Sequence, residues 1–517
     1  MNARSQTMRN TLFSSVGIYT EYFLGMLVSI IVARHLGPAH FGTYSLVVWM
    51  VGIGVTATNS GSATAVTKFV AELRGAGRED LIAPMLKHLR RLQLYFLVAV
   101  AAIGACVLTF GGDRLAPNLN HLGLFALLVI AVSLRAPYMF NVNVAKGFEN
   151  FRATATIAAV ATPLNLAMVV VAWWVDAPVE GFLLIYAISS AVFYVISRLQ
   201  VRRMMPAVAS TEPLPADLLR RLHRHIRIVA VMVTVGFLMA SEMEVAFLTF
   251  YGNTAAAGQF KVAYQLAGGA SLLVPGVFAA VLLPMMASAL SQGKEVAVRR
   301  FAASTAYLAL LAIPLIAFGI VFASPTIRLL YGNAYLAAAP VFAICLLGGG
   351  LGSISQAATS LLVSADHQHS MLYVYILCGV LKFSLDAVLI GSYELNGAMV
   401  AYMIVSLVWF VTNMGLGMRI SGARMPYARV ARIVLAGALA GLLAVPLREV
   451  SPPLLALAIG GPLLVAAYAL LTVCLGCWSR ADLDYLKGLH DKLARGRPRA
   501  IGQLLGWASD RARRAES

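Results

Sequence analysis

Seven ionisable side chains stand inside or at the edge of long apolar runs: Glu21, Lys68, Arg135, Glu242, Glu244, Lys382 and Asp386. A charge at bilayer depth costs several kcal/mol unless it meets water or a partner, so each is a functional candidate. Arg135 is the strongest candidate for phosphate recognition, because a guanidinium is permanently charged and forks onto phosphate oxygens. Its alternative is plain pairing with an acid such as Glu21. Pro137, two residues later, can break the helix locally and open backbone donors nearby. Lys382 and Asp386 are four residues apart, hence on one helix face and able to pair directly. They read either as a neutralising pair between helices or as a substrate or coupling site. With Lys68, at the inner end of its run, Arg135 and Lys382 form the set of cations for an anionic substrate. Glu242 and Glu244 point about 200° apart on a helix, so one is expected to face a cavity and the other a neighbouring helix or the outer interface. A carboxylate held away from bulk water can take up and release a proton as its surroundings change. Glu21, Glu242, Glu244 and Asp386 are therefore the candidate ion-coupling groups, with a hydrogen-bonded structural acid as the other reading.

Other motifs carry less chemistry. Cys474-x-x-Cys477 has the spacing of half a redox or zinc site, yet no companion Cys or His stands nearby, and apolar packing explains it. Gly348, Gly349, Gly350 and Gly352 lie in mid-span without a following Lys-Ser/Thr, so they read as close helix packing or a bend and not as a nucleotide loop. His367-x-His369 sits in a turn beside Asp366. No metal, cofactor or catalytic constellation is assigned, and the chain is not expected to be an enzyme.

The elements that must hold these residues are helices. The 517-residue chain is 60% hydrophobic and 12% charged, with a mean hydropathy of +0.80. About fourteen apolar stretches recur, near 12–33, 41–67, 92–111, 122–143, 153–174, 181–203, 228–250, 262–290, 302–323, 340–363, 371–391, 397–418, 433–446 and 454–476. At 1.5 Å per residue most match the roughly 30 Å hydrocarbon core of a bilayer, where a helix satisfies its own backbone. The fold class is thus all-α and polytopic, with no extramembrane region large enough for an ATPase or transferase domain. The net charge of +18 would suggest nucleic acid in a soluble protein, but here it follows the loops. With the N-terminus inside, 33 of the 40 Lys and Arg fall in cytoplasmic segments, and only Arg34, Arg114, Lys261, Arg328 and Arg448 fall outside. That bias places both termini in the cytoplasm.

The chain also repeats itself. Leu36-Gly37-Pro38-Ala39-His40-Phe41-Gly42-Thr43-Tyr44 between spans 1 and 2 matches Tyr251-Gly252 through Gly258-Gln259-Phe260 between spans 7 and 8: Gly, a short loop, then Gly-x-aromatic. Gly-x4-Tyr opens spans 6 (Gly181, Tyr186) and 12 (Gly397, Tyr402), and both Gly42–Gly181 and Gly258–Gly397 are intervals of 139 residues. Six spans per half is an even number, so the repeats point the same way about an axis along the membrane normal. The expected organisation is an N-terminal lobe (1–204), a basic cytoplasmic linker (205–227), a C-terminal lobe (228–418), two additional spans (419–476) and a basic amphipathic tail (477–517) suited to the membrane interface.

The run from Ala33 to Tyr44 resembles the signature of the polysaccharide transporter family, which includes Wzx-type flippases and belongs to the superfamily of MATE exporters and MurJ-type lipid II flippases. Leu395-Asn396-Gly397-Ala398 with Ala401, and Ala145-Lys146-Gly147-Phe148-Glu149-Asn150-Phe151-Arg152, resemble the family's entry to span 12 and its loop after span 4. The likeness runs over roughly residues 8 to 420. It implies a MATE-like fold in a bacterial inner membrane and translocation of an undecaprenyl-pyrophosphate-linked oligosaccharide to the outer leaflet by alternating access, for exopolysaccharide, capsule or O-antigen assembly. It also implies a monomer working beside the polymerase and glycosyltransferases of one pathway. The alternatives are an ion-coupled multidrug exporter of the same fold, or an integral-membrane polysaccharide polymerase. The resemblance favours Glu244 as the cavity-facing acid, since the family often has one eight or nine residues before the glycine matching Gly252. It likens Glu21 to the first-helix carboxylate that binds cations in some MATE members. The family commonly has asparagines where Lys382 and Asp386 stand, as Asn165 does in span 5, so that charged pair departs from the pattern.

Overall fold

The structure is a computed structural model that describes residues 3–115, 120–205, 214–240, 242–273, 275–422, 426–479 and, in the tail, 482–485, 487–488, 502–503, 506–507 and 509–510. Pro206 and Pro213 of the linker, and Leu486, Leu489, Lys492, Leu493 and Arg495 of the tail, lie outside the described residues. Within them every regular element is a helix and no strand occurs, as expected where water cannot satisfy the backbone. The order is α1 (Ala3–Asn59), α2 (Ser62–Gly75), α3 (Ile82–Leu115), α4 (His121–Gly147), α5 (Phe151–Trp174), α6 (Val179–Met204), α7 (Ala216–Ala240), α8 (Met243–Phe250), α9 (Thr254–Leu273), α10 (Pro275–Ser291), α11 (Lys294–Tyr331), α12 (Ala338–Ser364), α13 (Gln368–Leu385), α14 (Gly391–Ser421), α15 (Tyr427–Ala444) and α16 (Pro453–Cys474). Ten helical segments of the described residues are long and apolar enough to cross a membrane, and two of them, Tyr19–Asn59 and His369–Ser421, each carry two of the expected stretches.

The breaks have local causes. α1 turns at Gly37, whose φ of 71° suits glycine, followed by Pro38, which has no backbone donor. The stretch expected at 41–67 is divided at Ser60 and Gly61 (φ 77°), where an added Cβ would come within 2.8 Å of Ile226 O and 2.9 Å of Ala230 N of α7. Only a glycine lets α7 lie against that break. The helix expected at 228–250 is likewise two pieces, because α7 ends at Ala240 and Glu242 (φ −76°, ψ 65°) caps α8. Between α13 and α14 a π turn spans Asp386–Ile390, and Glu394 takes a non-helical conformation (φ 48°, ψ −124°). The short stretch expected at 433–446 is a longer helix, since α15 already begins at Tyr427.

The chain forms two compact units. The first comprises residues 1–262 and 375–401. Its most telling contact joins the second limb of α1 to the start of α9. A Cβ on Gly42 would stand 1.9 Å from Thr254 O, and a Cβ on Gly258 would stand 2.0 Å from Pro38 O. Pro38 and Thr254 are separated by the same interval as Gly42 and Gly258, so the approach of the two segments is reciprocal.

The second unit comprises residues 263–374 and 402–517. Here α11, bent at Phe322, packs on α12, α15 and α16. The glycine run of α12 serves packing: added Cβ atoms at Gly348 and Gly350 would meet Tyr402 and Ile316 at 2.6 and 2.5 Å. Arg429 and Arg432 donate to the carbonyls of Cys477, Leu475 and Gly476 at the end of α16. Cys477 itself is buried with a free thiol.

Candidate functional site

The first unit buries three ionisable groups together. Lys382 Nζ lies 3.1 Å from Glu244 Oε2, with side chains 3% and 0% exposed, and also reaches Met239 O at 3.5 Å. Asp386 is completely buried too, and neither of its carboxylate oxygens has a hydrogen-bond partner among the described residues. The i, i+4 spacing of Lys382 and Asp386 is real, but the ion pair goes to Glu244 on α8. Asp386 stands where α13 passes into the π turn. One ammonium thus serves two carboxylates. An uncompensated buried charge is expensive, so the two carboxylates compete for the Lys382 ammonium.

The expectation that Glu242 and Glu244 diverge along one helix is replaced by a different cause, the break between α7 and α8. Glu242 pairs with Lys261 of α9 at 2.7 Å, both partly buried, while Glu244 points into the cluster. Tyr251 donates to Ala387 O at 2.7 Å and Asn253 to Glu394, tying the end of α8 to the α13–α14 connection.

Arg135 occupies an aromatic box. Its guanidinium lies 5.1 Å from the Tyr186 ring, 5.3 Å from Phe193 and 5.9 Å from Tyr138. No carboxylate of a described residue lies within ion-pair distance of it, so the pairing with Glu21 does not form; Glu21 is exposed on α1. Pro137 does not interrupt α4, which runs from His121 to Gly147. Lys68 is exposed on α2 beside Phe69. Arg135, the Lys382 cluster and Lys68 are therefore three separate places and not one constellation.

Reasoning from ionisable residues missed a buried polar network linking α1, α3, α4 and α6. Gln93 Nε2 donates to Asn59 Oδ1 at 2.8 Å, Arg90 Nη2 to Asn141 Oδ1 at 3.2 Å, and Asn141 Nδ2 to Ser197 Oγ at 3.0 Å. An Asn or Gln in an apolar run was the available signal, because a buried amide demands partners. Also missed was an apolar crevice of about 430 Å³ between α1, α3 and α4, lined by Trp49, Met50, Ile53, Val107, Phe125 and Leu128 among others. Its chemistry suits hydrocarbon.

Among solved structures, the chain is similar to the lipid II flippase MurJ in an inward closed conformation, with a TM-score of 0.69 at 11% identity over 90% of this chain and 98% of that one. It is also similar to an inward-facing multidrug resistance MATE family transporter of the MOP superfamily (TM-score 0.59, 14% identity, 79% and 98% covered). A MATE transporter of Vibrio cholerae matches at a TM-score of 0.50, with 15% identity over 80% and 97% of the two chains. At these identities the likeness is one of fold. No curated protein sequence matches the chain. Residues 7–290, more than half of the chain, match the family model described as polysaccharide biosynthesis protein. A polytopic helical chain with that match and the fold of MurJ and MATE transporters belongs to the polysaccharide biosynthesis protein family.

Proposed function

We propose that the protein is a flippase that moves an undecaprenyl-pyrophosphate-linked oligosaccharide from the cytoplasmic to the periplasmic leaflet of a bacterial inner membrane, by alternating access and without catalysing a reaction. The observation that carries this reading is Arg135: a permanent cation in the apolar part of a polysaccharide-biosynthesis chain, held among rings with no carboxylate of a described residue at ion-pair distance. Such a group is stabilised by an incoming anion, and pyrophosphate supplies one with the right oxygen geometry. Lys68, exposed on α2, is a further cation for substrate passage, whereas Lys382 is taken up by Glu244. Polyprenyl hydrocarbon can remain in lipid or in a crevice such as the one behind Trp49.

The test is export of the glycan in cells lacking the native protein. Arg135→Ala should reduce export at least tenfold at unchanged protein abundance, and Arg135→Lys should retain part of it, because an ammonium keeps the charge but cannot fork onto two oxygens as a guanidinium does. Full export by Arg135→Ala sinks the assignment. Ion-coupled export of an organic cation is the second reading, favoured by the surplus carboxylate at Glu244 and Asp386. Under that reading the Arg135 variants would leave glycan export unaffected and change drug tolerance instead.

A further inference from the structure

Away from these sites, the first unit holds a cavity of about 440 Å³ on the flank of α3 and α6, lined by Lys87, Arg90, Arg91, Arg198 and Arg202 together with apolar groups such as Leu94. None of the five cations makes an ion pair with a described residue. Glu79, Asp80 and Glu72 pair elsewhere, with Arg74, Arg78 and Arg221 at 3.5, 3.5 and 2.7 Å. Two of the five are held in place. Arg90 is fixed by buried Asn141, which Ser197 holds in turn, and lies 5.8 Å from the Phe140 ring. Arg198 donates to the Tyr194 hydroxyl at 3.2 Å. Like charges gathered around one small cavity repel one another, and an anion relieves that repulsion.

The helix faces say what kind of anion. Along α3, Lys87, Arg91, Leu94 and Val98 recur at intervals of four, three and four, which is one helical face. Along α6, Arg202, Arg198 and Val195 do the same. Leu94, Tyr95, Val98, Val195 and Leu199 are all exposed. Both helices therefore change, on the flank of the cavity, from cations to a bare apolar stripe within about two turns. In the orientation proposed above, that change falls at the inner leaflet's headgroup level.

We infer that this cavity binds the phosphate of an anionic glycerophospholipid from the inner leaflet, with the acyl chains laid along the exposed α3 and α6 stripe. A free phosphate would leave the stripe uncovered. Among amphiphiles, the abundant anionic phospholipid fills an open lateral site by mass action before a scarce one does. The site is distinct from Arg135, which belongs to the proposed translocation path.

Native mass spectrometry of the purified full-length protein, exposed to equimolar phosphatidylglycerol and phosphatidylcholine, tests this. The wild type should retain phosphatidylglycerol selectively. Arg198→Gln with Arg202→Gln should weaken its retention by about thirtyfold, the loss expected for two interfacial cations, and Lys87→Gln with Arg91→Gln should do likewise from the other helix. Arg299→Gln with Arg300→Gln, on α11, should leave it unchanged. Melting temperature reports whether each variant is folded, and the second pair decides if the first is not. Equal retention of the two lipids, equal loss in the α11 control, or unaltered binding in both cavity variants would overturn the inference. So would displacement of phosphatidylglycerol by inorganic phosphate alone, or by undecaprenyl pyrophosphate at equal concentration.

Discussion

At the residue scale, the cluster of Glu244, Lys382 and Asp386 makes the sharpest demand, because its formal charges do not cancel. Lys382→Met leaves two buried carboxylates without their cation, and removing one partner of a buried pair costs about 3–5 kcal/mol. The variant should therefore melt far below the wild type in a purified-protein thermal scan. Asp386→Asn removes the surplus charge alone and should be as stable as the wild type or more so, while flattening the dependence of transport on pH. A strongly destabilised Asp386→Asn together with a stable Lys382→Met would refute this account of the charges. The residue types were readable in the sequence, since ionisable groups in apolar runs announce themselves. Their partners were not: spacing alone directs Lys382 to Asp386, whereas the actual acid comes from a helix distant in sequence, brought there by tertiary packing.

At the scale of elements, backbone approach decides. Gly42 and Gly258 let α1 and α9 touch with no room for a Cβ on either. Gly42→Ala and Gly258→Ala should each sharply reduce the monodisperse folded protein seen in size-exclusion chromatography, while Gly25→Ala, with nothing within 4 Å of its added Cβ, should not. Comparable yields of all three would deny the crossing. The tail supplies a pH-dependent interaction. Burial pushes the Asp482 carboxyl up, but hydrogen bonds from Ser479 and Tyr307 and the nearby Arg429 outweigh it and hold the group below its ordinary value. A depressed folded value means stability that is present above the unfolded carboxylate value of about 3.9 and lost as pH falls through the folded one. Asp482→Asn should thus lower the melting temperature at pH 7, with the difference from wild type closing toward pH 3. The turn at Gly37-Pro38 was legible, because both residues advertise it. The divisions at Ser60-Gly61 and Ala240–Met243 were not, since apolar periodicity continues across them and α7 packing or pairing of Glu242 with Lys261 sets the geometry.

At the scale of the molecule, the recurring Gly-x-aromatic entries were visible as sequence, and the close approach of Gly42 and Gly258 explains why both need glycine. The distribution of Lys and Arg predicts that both ends face the cytoplasm. A green fluorescent protein fused after Ser517 should fluoresce, and an alkaline phosphatase fused there should be inactive; the opposite pair of results would invert the topology. What the glycan looks like was never legible, because selectivity rests on cavity shape assembled from many helices. Translocation of a pyrophosphate-linked glycolipid can be watched as flipping in proteoliposomes. A fluorescent undecaprenyl-pyrophosphate oligosaccharide is incorporated in both leaflets and an impermeant reagent bleaches only the exposed one. Wild-type protein should raise the bleached fraction well above the outer-leaflet share seen in protein-free vesicles, and Arg135→Ala should leave it at that share. Bleaching by wild-type vesicles equal to protein-free ones, under an imposed ion gradient as well as without it, would contradict the account.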